Sequence, residues 1–252
     1  MEKDPKMKDN AHPAGNSVPE ETATTRTEAL LGREATARLA AAHVMLVGLG
    51  GVGGYVLEAL CRVGIGRFTL VDFDTISLTN LNRQILATRA SIGMKKTEAA
   101  AARVASLFPK TRVSCFDCRL TTENAGEILS SAHPDILIDA IDDVRAKVAL
   151  AVAAAEMEIP ELCSLGTANR LDPSAFRITD LSETSGCPLA RAMRQSLRRE
   201  GIAHLPVLVS DEPPRKSLLD GVRLGSVSYV PAAAGLLLAA ETVRLLTGSG
   251  AC

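Results

Sequence analysis

The sequence HVMLVGLGGVG, residues 43–53, decides the fold of this chain. Its apolar first half predicts a buried strand of a parallel sheet. Its second half has the spacing G-x-G-x-x-G at Gly48, Gly50 and Gly53, and apolar residues at helical spacing follow over residues 53–63. Glycines between a strand and a helix let the backbone approach a phosphate, which the helix N-terminus attracts. The stretch therefore predicts a nucleotide site.

Further strands and helices are predicted to alternate after this stretch. Buried strands are predicted at residues 68–71, 111–115, 135–138 and 159–163, and helices at 95–107 and 144–157. Such alternation indicates an α/β fold, with a Rossmann-like doubly wound sheet that is mainly parallel. The pattern weakens after residue 165. There, strands at 175–178, 205–210 and 226–230 and helices at 188–199 and 232–246 predict a mixed-sheet C-terminal extension.

The chain divides into a tail and one domain. Residues 1–25 are polar and rich in Lys, Glu, Thr and Pro, so we expect them to be disordered because they have nothing to bury. Residues 26–248 are expected to form a single domain. Within it, the glycine motif lies in a nucleotide half at about 26–165, and a substrate half follows at about 166–248.

The composition argues against several classes of function. Aromatic residues make up 3% of the 252 residues and Trp is absent, which disfavours a protein that grips bases mainly by stacking. With a net charge of −1, any contact with nucleic acid must use a local basic patch. Six scattered cysteines are typical of reduced thiols in the cytoplasm. We find no signal peptide, and the apolar run at 230–240 is too short for a transmembrane helix, so we expect no membrane association.

Charged residues after the glycines indicate which kind of nucleotide is bound. Asp72 follows Gly53 by 19 residues, where an acid can bind ribose hydroxyls, but an NAD-dependent dehydrogenase has the same feature. Arg83 and Lys96 favour a triphosphate, because cations stabilise the charge on a phosphorus under attack. Asp142, just past the fourth predicted strand, could hold Mg²⁺. Each of these three residues also has an interpretation without a ligand. Arg83 and Lys96 could be solvent-exposed, and Asp142 could cap the following helix.

Four motifs give the chain a resemblance to a known family. GLGGVGG at 48–54, LVDFDTISLTNLNRQ at 70–84, IGMKK at 92–96 and IDAIDDV at 138–144 are similar to the ATP-binding motifs of the ubiquitin-activating-enzyme-like adenylyltransferases. The resemblance covers roughly residues 25–248 and implies ATP and Mg²⁺ as cofactors. It implies a nucleotide site formed by Gly48, Gly50, Gly51, Gly53, Asp72, Asn80, Asn82, Arg83, Gln84 and Lys96.

The same resemblance implies catalytic roles and an assembly. By this resemblance, Asn82, Arg83 and Lys96 contact phosphates, and Asp142 holds Mg²⁺. In the family an arginine ahead of the first strand reaches into the site of the partner subunit, which implies a homodimer. Arg26 fits that position best, and Arg33 is the second choice. The implied catalytic set is Arg26, Arg83, Lys96 and Asp142.

The second half of the chain separates two branches of the family. Sulfur-carrier activators usually have two C-x-x-C pairs that bind zinc; this chain has one, Cys115-Phe-Asp-Cys118, so we expect no structural zinc. DP at 172–173, ITDL at 178–181, TS at 184–185, PLA at 188–190 and LGSVSYVP at 224–231 instead resemble the tRNA threonylcarbamoyladenosine dehydratases. That family uses ATP to close a ring on a modified adenosine of the tRNA anticodon loop, through adenylation of the threonyl carboxylate.

Two other functions stay open at this point. One is an activator of a small sulfur-carrier or ubiquitin-like protein, whose terminal carboxylate would take the place of the carboxylate on tRNA. The other is an NAD-binding or nucleotide-sensing module without adenylation. The dehydratase resemblance also implies a cysteine-desulfurase sulfur-relay system as a partner. No residue of the sequence is evident as a general base.

Two features of the second half concern partners and reactivity. Arg191, Arg194 and Arg198 share one face of a predicted helix with Arg199 beside them, and this face either follows RNA phosphates or is merely solvated. Cys187 stands where we expect an acidic residue in the dehydratases. It is either a reactive loop thiol or a residue without a role in the reaction, since the dehydratase reaction needs no thiol.

Overall fold

The structure is a computed structural model that describes residues 21–185 and 187–248. The predicted disordered tail at 1–25 lies mostly outside these residues, and Thr25 is the first residue of a helix. The strands are β1 (His43–Val47), β2 (Arg67–Val71), β3 (Arg112–Phe116), β4 (Ile136–Asp139), β5 (Glu161–Ser164), β6 (Phe176–Asp180) and β7 (Pro206–Ser210). The helices are α1 (Thr25–Leu31), α2 (Arg33–Ala41), α3 (Gly53–Val63), α4 (Lys96–Leu107), α5 (Ala125–Ala132), α6 (Val144–Glu156), α7 (Pro188–Arg199) and α8 (Tyr229–Thr247).

One sheet joins these strands in the order β3-β2-β1-β4-β5-β7-β6. All neighbouring pairs are parallel except β6 and β7, which are antiparallel. The chain moves from β1 outward to β2 and β3 and then returns to β4 on the other side of β1. This confirms the predicted Rossmann-like doubly wound sheet with a mixed C-terminal extension. The order reverses between β1 and β4, and such sheets bind ligands at that point.

Helices cover both faces of the sheet, which explains why its central strands are apolar throughout. All five residues of β1 are buried, because successive side chains point to opposite faces and both faces are covered. Val44 and Leu46 pack with α2, α3, α4 and α8 on one face, and Met45 and Val47 pack with α5 and α6 on the other. A third apolar cluster joins α7 to β7.

The predicted strand at 226–230 is wrong. Residues 222–227 form no regular element, and α8 begins at Tyr229 instead of residue 232. The proline in the apolar run, Pro231, falls in the first turn of this helix, where its missing N–H has no intrahelical partner to lose.

Helix α8 packs closely against α3. A Cβ added to Gly235 would lie 2.5 Å from the carbonyl oxygen of Val52, so the two helices can meet here only at a glycine. Within the described ranges, α8 is the one helix whose length and composition would let it cross a membrane, although 44% of that apolar window is buried inside the fold.

Three helices, α1, α2 and α5, were not predicted from the sequence pattern. None of the residues of α1 is buried, and α2 buries only Leu39, so neither has the apolar stripe that indicates a helix. Helix α5 has eight residues, too few for a clear periodicity.

Candidate active site

A cleft of about 1250 Å³ opens at the carboxyl ends of the parallel strands, where the strand order reverses. The loops after β1, β2 and β4 form its nucleotide side. Residues 164–168 and 224–226, together with Leu189 of α7, form its substrate side. The cleft brings together the predicted residues Gly48, Gly50, Gly51, Asp72, Asn80, Asn82, Arg83, Gln84, Lys96 and Asp142.

The glycine loop lies against the loop that follows β4. Gly48 has a φ of +92°, and a Cβ there would lie 2.7 Å from the carbonyl oxygen of Ala140. A Cβ on Gly53 would lie 1.8 Å from the carbonyl oxygen of Gly48. A Cβ on Gly50, by contrast, meets nothing nearer than Gln84 Nε2 at 3.8 Å. Packing therefore requires Gly48 and Gly53, whereas Gly50 leaves room on the cleft side for a ligand.

The carboxylate of Asp72 is fixed by backbone donors. Its two oxygens accept hydrogen bonds from the N–H of Leu49 at 2.7 Å and the N–H of Asp74 at 2.8 Å. A carboxylate can accept about four hydrogen bonds, so Asp72 retains sites for ribose hydroxyls. The buried residue therefore ties the glycine loop to the end of β2 and stays oriented toward the cleft.

Lys96 lies between two carboxylates. Its Nζ is 2.7 Å from Asp74 Oδ2 and 3.7 Å from Asp72 Oδ2, and its side chain is buried. An ammonium group has three donors, so one can still turn toward a phosphate. The sequence pattern identified Lys96 but missed Asp74, although the spacing Asp72-Phe-Asp74 after a strand could have revealed a second acid at this edge.

The segment 80–84 joins the two sides of the cleft. Asn82 Nδ2 donates to the carbonyl oxygen of Ser226 at 3.0 Å, across from the nucleotide half to the substrate half. Arg83 Nη1 donates to the Asn82 side chain and to the carbonyl of Thr79, both at 2.9 Å. The arginine is therefore held in place before any anion arrives.

The side-chain amides of Asn80 and Gln84 differ in whether their oxygen has a hydrogen-bond partner. The Asn80 side chain accepts from the N–H of Ser77 at 3.0 Å and so forms the turn itself. Gln84 is buried, and its Oε1 has no hydrogen-bond partner among the described residues. A buried amide oxygen without a partner in a cleft suits a hydrogen-bond donor on a bound ligand.

The two adjacent acids after β4, Asp142 and Asp143, differ in their contacts. Asp143 caps α6, because its Oδ1 accepts from the N–H of Arg145 at 2.9 Å and of Ala146 at 3.2 Å. Asp142 is exposed in the cleft and makes no hydrogen bond or ion pair within the described parts of the chain. The residue that caps α6 is therefore Asp143, and not Asp142 as the alternative supposed. A free carboxylate at this position has the hard oxygen donors that Mg²⁺ prefers.

A buried ion pair lies directly beneath that loop. Lys147 Nζ is 2.9 Å from Asp139 Oδ1, and both side chains are fully inaccessible to solvent. The same carboxyl oxygen accepts from the N–H of Ile141 at 3.1 Å, one residue before Asp142. Burial alone would lower the pKa of Lys147, but the adjacent Asp139 and Cys163 hold it above its usual value. Lys147 thus stays charged, and Asp139 joins it to the loop that carries Asp142.

Glu161 and Cys163 complete this buried cluster. Cys163 Sγ lies 3.4 Å from Lys147 Nζ, and both carboxyl oxygens of Glu161 lack hydrogen-bond partners among the described residues. Burial raises the pKa of Glu161 well above its usual value, and it raises that of Cys163 too. Burial therefore favours the uncharged form of Glu161, and Lys147 is the one cation among these four residues. The sequence pattern missed the cluster; its signal is a lysine inside an Ala-rich helix, two turns after an acid that ends a strand.

The two candidate arginines ahead of β1 have different surroundings. Arg33 is paired with Glu28, with Nε and Oε1 2.9 Å apart. Arg26 is exposed on α1, does not line the cleft, and has no ion-pair partner within residues 21–185 and 187–248. Of the two, Arg26 is therefore free to reach another molecule.

The arginines of the predicted basic face of α7 differ in their surroundings. Arg194 Nη1 donates to the carbonyl oxygens of Leu181 and Thr184 and to the Thr184 hydroxyl, so one end of its guanidinium holds the preceding loop. Arg191, Arg198 and Arg199 remain exposed. The predicted patch of Arg191, Arg194, Arg198 and Arg199 stays a prediction, with Arg194 the member that is also bonded within the fold.

Two described cysteines, Cys187 and Cys115, bear on the predictions made from the sequence. Cys187 is buried in the apolar cluster between α7 and β7, so a reactive loop thiol is wrong for this position. Cys115 lies on β3, and its Sγ donates to the carbonyl oxygen of Thr97 at 3.6 Å. The absence of structural zinc stays a prediction.

Comparison with known proteins gives a consistent result. The profile of the ThiF family matches residues 24–251. The tRNA threonylcarbamoyladenosine dehydratase of Bacillus subtilis is 34% identical over 87% of this chain and 92% of that enzyme. The enzyme of the same name from Escherichia coli is 39% identical over 69% of this chain, a match that spans 65% of that protein. The sulfur carrier protein adenylyltransferase of Thermus thermophilus is 30% identical over 87% of this chain and 74% of that protein.

Solved structures agree with these relatives. The structure of the E. coli dehydratase, TcdA, in complex with AMP is 33% identical, with a TM-score of 0.84 over 88% of this chain and 93% of that one. The structure of the same enzyme in complex with ATP has a TM-score of 0.83 over 89% of this chain and 93% of that one.

Substitutions at two glycines should separate packing from ligand binding. Gly53→Ala places a Cβ against the Gly48 carbonyl and should lower the free energy of unfolding by about 1–3 kcal/mol, as overpacking does. Gly50→Ala meets no protein atom closely, so it should leave stability unchanged and weaken ATP binding. Urea unfolding and calorimetric titration with ATP measure the two effects. Equal destabilisation by both variants would contradict the assignment.

Charge pairing beneath the cleft can be tested by a double substitution. Lys147→Met leaves the Asp139 carboxylate buried without its cation and should cost about 3–5 kcal/mol of stability. Asp139→Asn combined with Lys147→Met removes both charges and keeps an acceptor for the Ile141 N–H, so it should recover most of that loss. Urea unfolding at pH 7 gives both values. A double variant as unstable as Lys147→Met alone would show that the lysine acts through packing, not through charge.

Proposed function

Because this chain belongs to the ThiF family, we propose that it is an ATP-dependent tRNA threonylcarbamoyladenosine dehydratase, which closes a ring on a modified adenosine of the anticodon loop. The observation that carries the proposal is the extent of the similarity to dehydratases. It runs through both halves of the chain and covers 92% of the B. subtilis enzyme. The substrate half, which differs between branches of the family, is therefore included in the match.

ATP fits the cleft through residues that are already positioned. The open side of Gly50 and the N-terminus of α3 receive the phosphates, and Asp72 accepts the ribose hydroxyls. Arg83 and Lys96 lie on the same side of the cleft and offset the charge that grows on the phosphorus during attack. The alternative function, an NAD-binding module without adenylation, would not require these two cations.

Asp142 is the residue that would hold Mg²⁺. Its exposed carboxylate faces the cleft and makes no bond within the described ranges, and carboxylate oxygens are suitable ligands for this ion. Bound there, the ion would offset the charge of the triphosphate. The Asp139–Lys147 pair and the Asp143 cap hold the loop on either side, so Asp142 needs no rearrangement to bind it.

The reaction proceeds in two displacements. An oxygen of the threonyl carboxylate attacks the α-phosphorus of ATP, and the bond to the β-phosphate oxygen breaks, which releases pyrophosphate. A nitrogen of the same side chain then attacks the activated carboxyl carbon, loses its proton, and displaces AMP as the ring closes. The protein contributes mainly orientation and charge stabilisation, through the cations of the cleft.

A tRNA substrate is favoured over a carrier protein by the exposed arginines of α7, the helix that contributes Leu189 to the cleft. Leu189 of α7 lines the substrate side, and the exposed Arg191 follows two residues later. Arg198 and Arg199 extend this surface along α7, and phosphates are its natural ligands. A cytoplasmic location, which the scattered cysteines also favour, is compatible with a tRNA substrate. The similarity to a sulfur carrier protein adenylyltransferase supports a sulfur-relay partner of the cysteine-desulfurase type.

A homodimer explains the position of Arg26. This arginine lies outside the cleft of its own subunit, so we place it in the site of a second copy, where it supplies a further cation. Exposed apolar residues of α8 support an interface: Tyr229, Leu236, Leu237 and Leu245. Two identical surfaces of this kind can meet about a two-fold axis.

The function is tested with purified enzyme, Mg-ATP and tRNA that carries threonylcarbamoyladenosine. We expect nucleoside mass spectrometry to show conversion to the cyclic form. Asp142→Ala should abolish it, and Lys96→Ala should lower the rate by about 10²–10³-fold, as the loss of one charged donor does. Asp143→Ala is the matched control, since it should cost only about 1 kcal/mol of helix capping and retain turnover.

Two outcomes would contradict this function. Near-normal turnover of both Asp142→Ala and Lys96→Ala, with their folds intact, would remove the adenylation mechanism. ATP–pyrophosphate exchange that depends on a small carrier protein and not on tRNA would favour the sulfur-carrier alternative.

Mixing two inactive variants tests the dimer. Arg26→Ala and Asp142→Ala should each be inactive, but unfolding and remixing them should give heterodimers in about half of the dimers. One site of each heterodimer then carries both substitutions and the other carries none, so about a quarter of the activity should return. No recovery, with heterodimers verified by native mass spectrometry, would show that Arg26 acts within its own subunit.

A further inference from the structure

The chain between β7 and α8 forms a loop whose two ends are fastened to one residue. The backbone of Asn169 accepts from the N–H of Arg215 at 2.8 Å, and its side chain donates to the carbonyl of Arg223 at 3.1 Å. Asn169 also exchanges two hydrogen bonds with Gly225, at 2.8 and 2.6 Å. Its φ of +60° is a left-handed conformation that asparagine tolerates. We call residues 215–225 the acceptor loop.

Further bonds connect this loop to both sides of the cleft. Glu212, just before it, accepts from the N–H groups of Leu171 and Asp172, both at 2.8 Å, and these donors lower its pKa. At the other end, the carbonyl of Ser226 accepts from Asn82 of the nucleotide site. The base of the acceptor loop therefore has a fixed position relative to bound ATP.

The tip of the acceptor loop is apolar and exposed. Leu218 is fully accessible, with 104% of its reference area, and Leu219 and Leu224 are 67% and 68% exposed. Leu224 also lines the cleft. The N–H of Val222 donates to the carbonyl oxygen of Leu219, so the tip that carries Leu218 and Leu219 is a hydrogen-bonded turn. Exposed apolar groups next to a cleft mark a surface that a partner covers.

The charges around this tip are suited to a polyanion. Lys216 and Arg223 are exposed and have no ion pair within the described parts of the chain, and Asp220 is the one acid between them. On α7, the helix that contributes Leu189 to the cleft, Arg191 is likewise exposed and has no ion pair within the described parts of the chain. An RNA loop offers phosphates to such cations and the apolar faces of unstacked bases to the leucines.

We propose that the acceptor loop binds the anticodon-loop bases that flank the reacting adenosine, which rests on the proposed function. The modified adenosine must leave the base stack to reach the α-phosphate of ATP, so its neighbours lose stacking partners. In a chain without Trp and with 3% aromatic residues, Leu218 and Leu219 supply the replacement surface. A second copy of this chain is disfavoured as the occupant, because the unpaired Lys216 and Arg223 suit the phosphates of RNA better than a protein with a net charge of −1.

The test compares the affinity of enzyme variants for tRNA that carries threonylcarbamoyladenosine, by fluorescence anisotropy. Leu218→Ser with Leu219→Ser should weaken binding about tenfold or more, since each leucine loses most of its apolar burial. Leu218→Met with Leu219→Met keeps an apolar surface at the same positions and should bind normally, so it is the matched control. ATP affinity should be the same in all variants.

Two further readouts separate this contact from a general charge effect. The serine variant should keep the slope of log Kd against log salt, because apolar contacts release no counterions, whereas Lys216→Ala with Arg223→Ala should flatten it. The serine variant should also show the same loss with a hairpin RNA that contains only the modified anticodon stem and loop. In turnover, it should raise KM for tRNA and leave kcat unchanged.

The outcomes that overturn the proposal are distinct from failure of the proposed function. If wild-type enzyme cyclises the modified adenosine and the serine variant binds tRNA equally well, the acceptor loop does not bind RNA. If the variant instead loses its dimer in sedimentation, with unchanged RNA affinity, the loop is a contact between copies. If the loss of affinity disappears with the hairpin, the leucines contact a remote part of tRNA. Wild-type enzyme that binds no modified tRNA overturns both proposals.

Discussion

The nucleotide site depends on the close approach of two backbones, at Gly48 and Ala140. Parallel pairing sets β1 beside β4 with Val47 opposite Asp139, so the loops that leave these strands emerge side by side. The N–H of Ala140 donates to the Val47 carbonyl at 2.8 Å, which draws the β4 loop against the glycine loop until no side chain fits at Gly48. This contact fixes the distance between the phosphate-facing turn and the carboxylate of Asp142.

Charge pairing keeps that geometry in place without a ligand. Asp139 binds both Lys147 and the backbone of the loop, and Asp72 binds the glycine loop while its charge is shared with Lys96. Each charged group of the site is thus oriented by another group or by the backbone, with Asp142 as the exception. Groups that are oriented in advance stabilise a developing charge without reorganising, and in a water-poor cleft this is the main contribution a protein can make.

The fold could be predicted from sequence because its decisive signals are local. A buried run followed by closely spaced glycines has one common structural meaning, and alternation along the chain gives the topology. Asp72, Arg83, Lys96 and Asp142 were predicted to share a site because they are charged and follow strand ends, and the structure brings them to one cleft. Residues whose role is made by contacts with distant parts of the chain were missed. Asp74 and Glu161 are of this kind, as is Asn169, whose partners lie more than 45 residues away. The bonds of Arg194 within the fold were missed for the same reason, since helical spacing indicates which face a residue occupies but not which carbonyl groups lie opposite it.

The division of the chain explains how one nucleotide site can serve different acceptors. The sheet and its glycine loop are rigid, and the relatives that act on tRNA and on a sulfur carrier protein both match this chain. What can change between branches is the wall opposite ATP, which here consists of loops tied together by Asn169 and Glu212 and not of sheet. Loops tolerate substitution because few core contacts depend on them. Since Asn82 joins that wall to the nucleotide half, a new acceptor surface is brought to the α-phosphate without altering the residues that bind ATP.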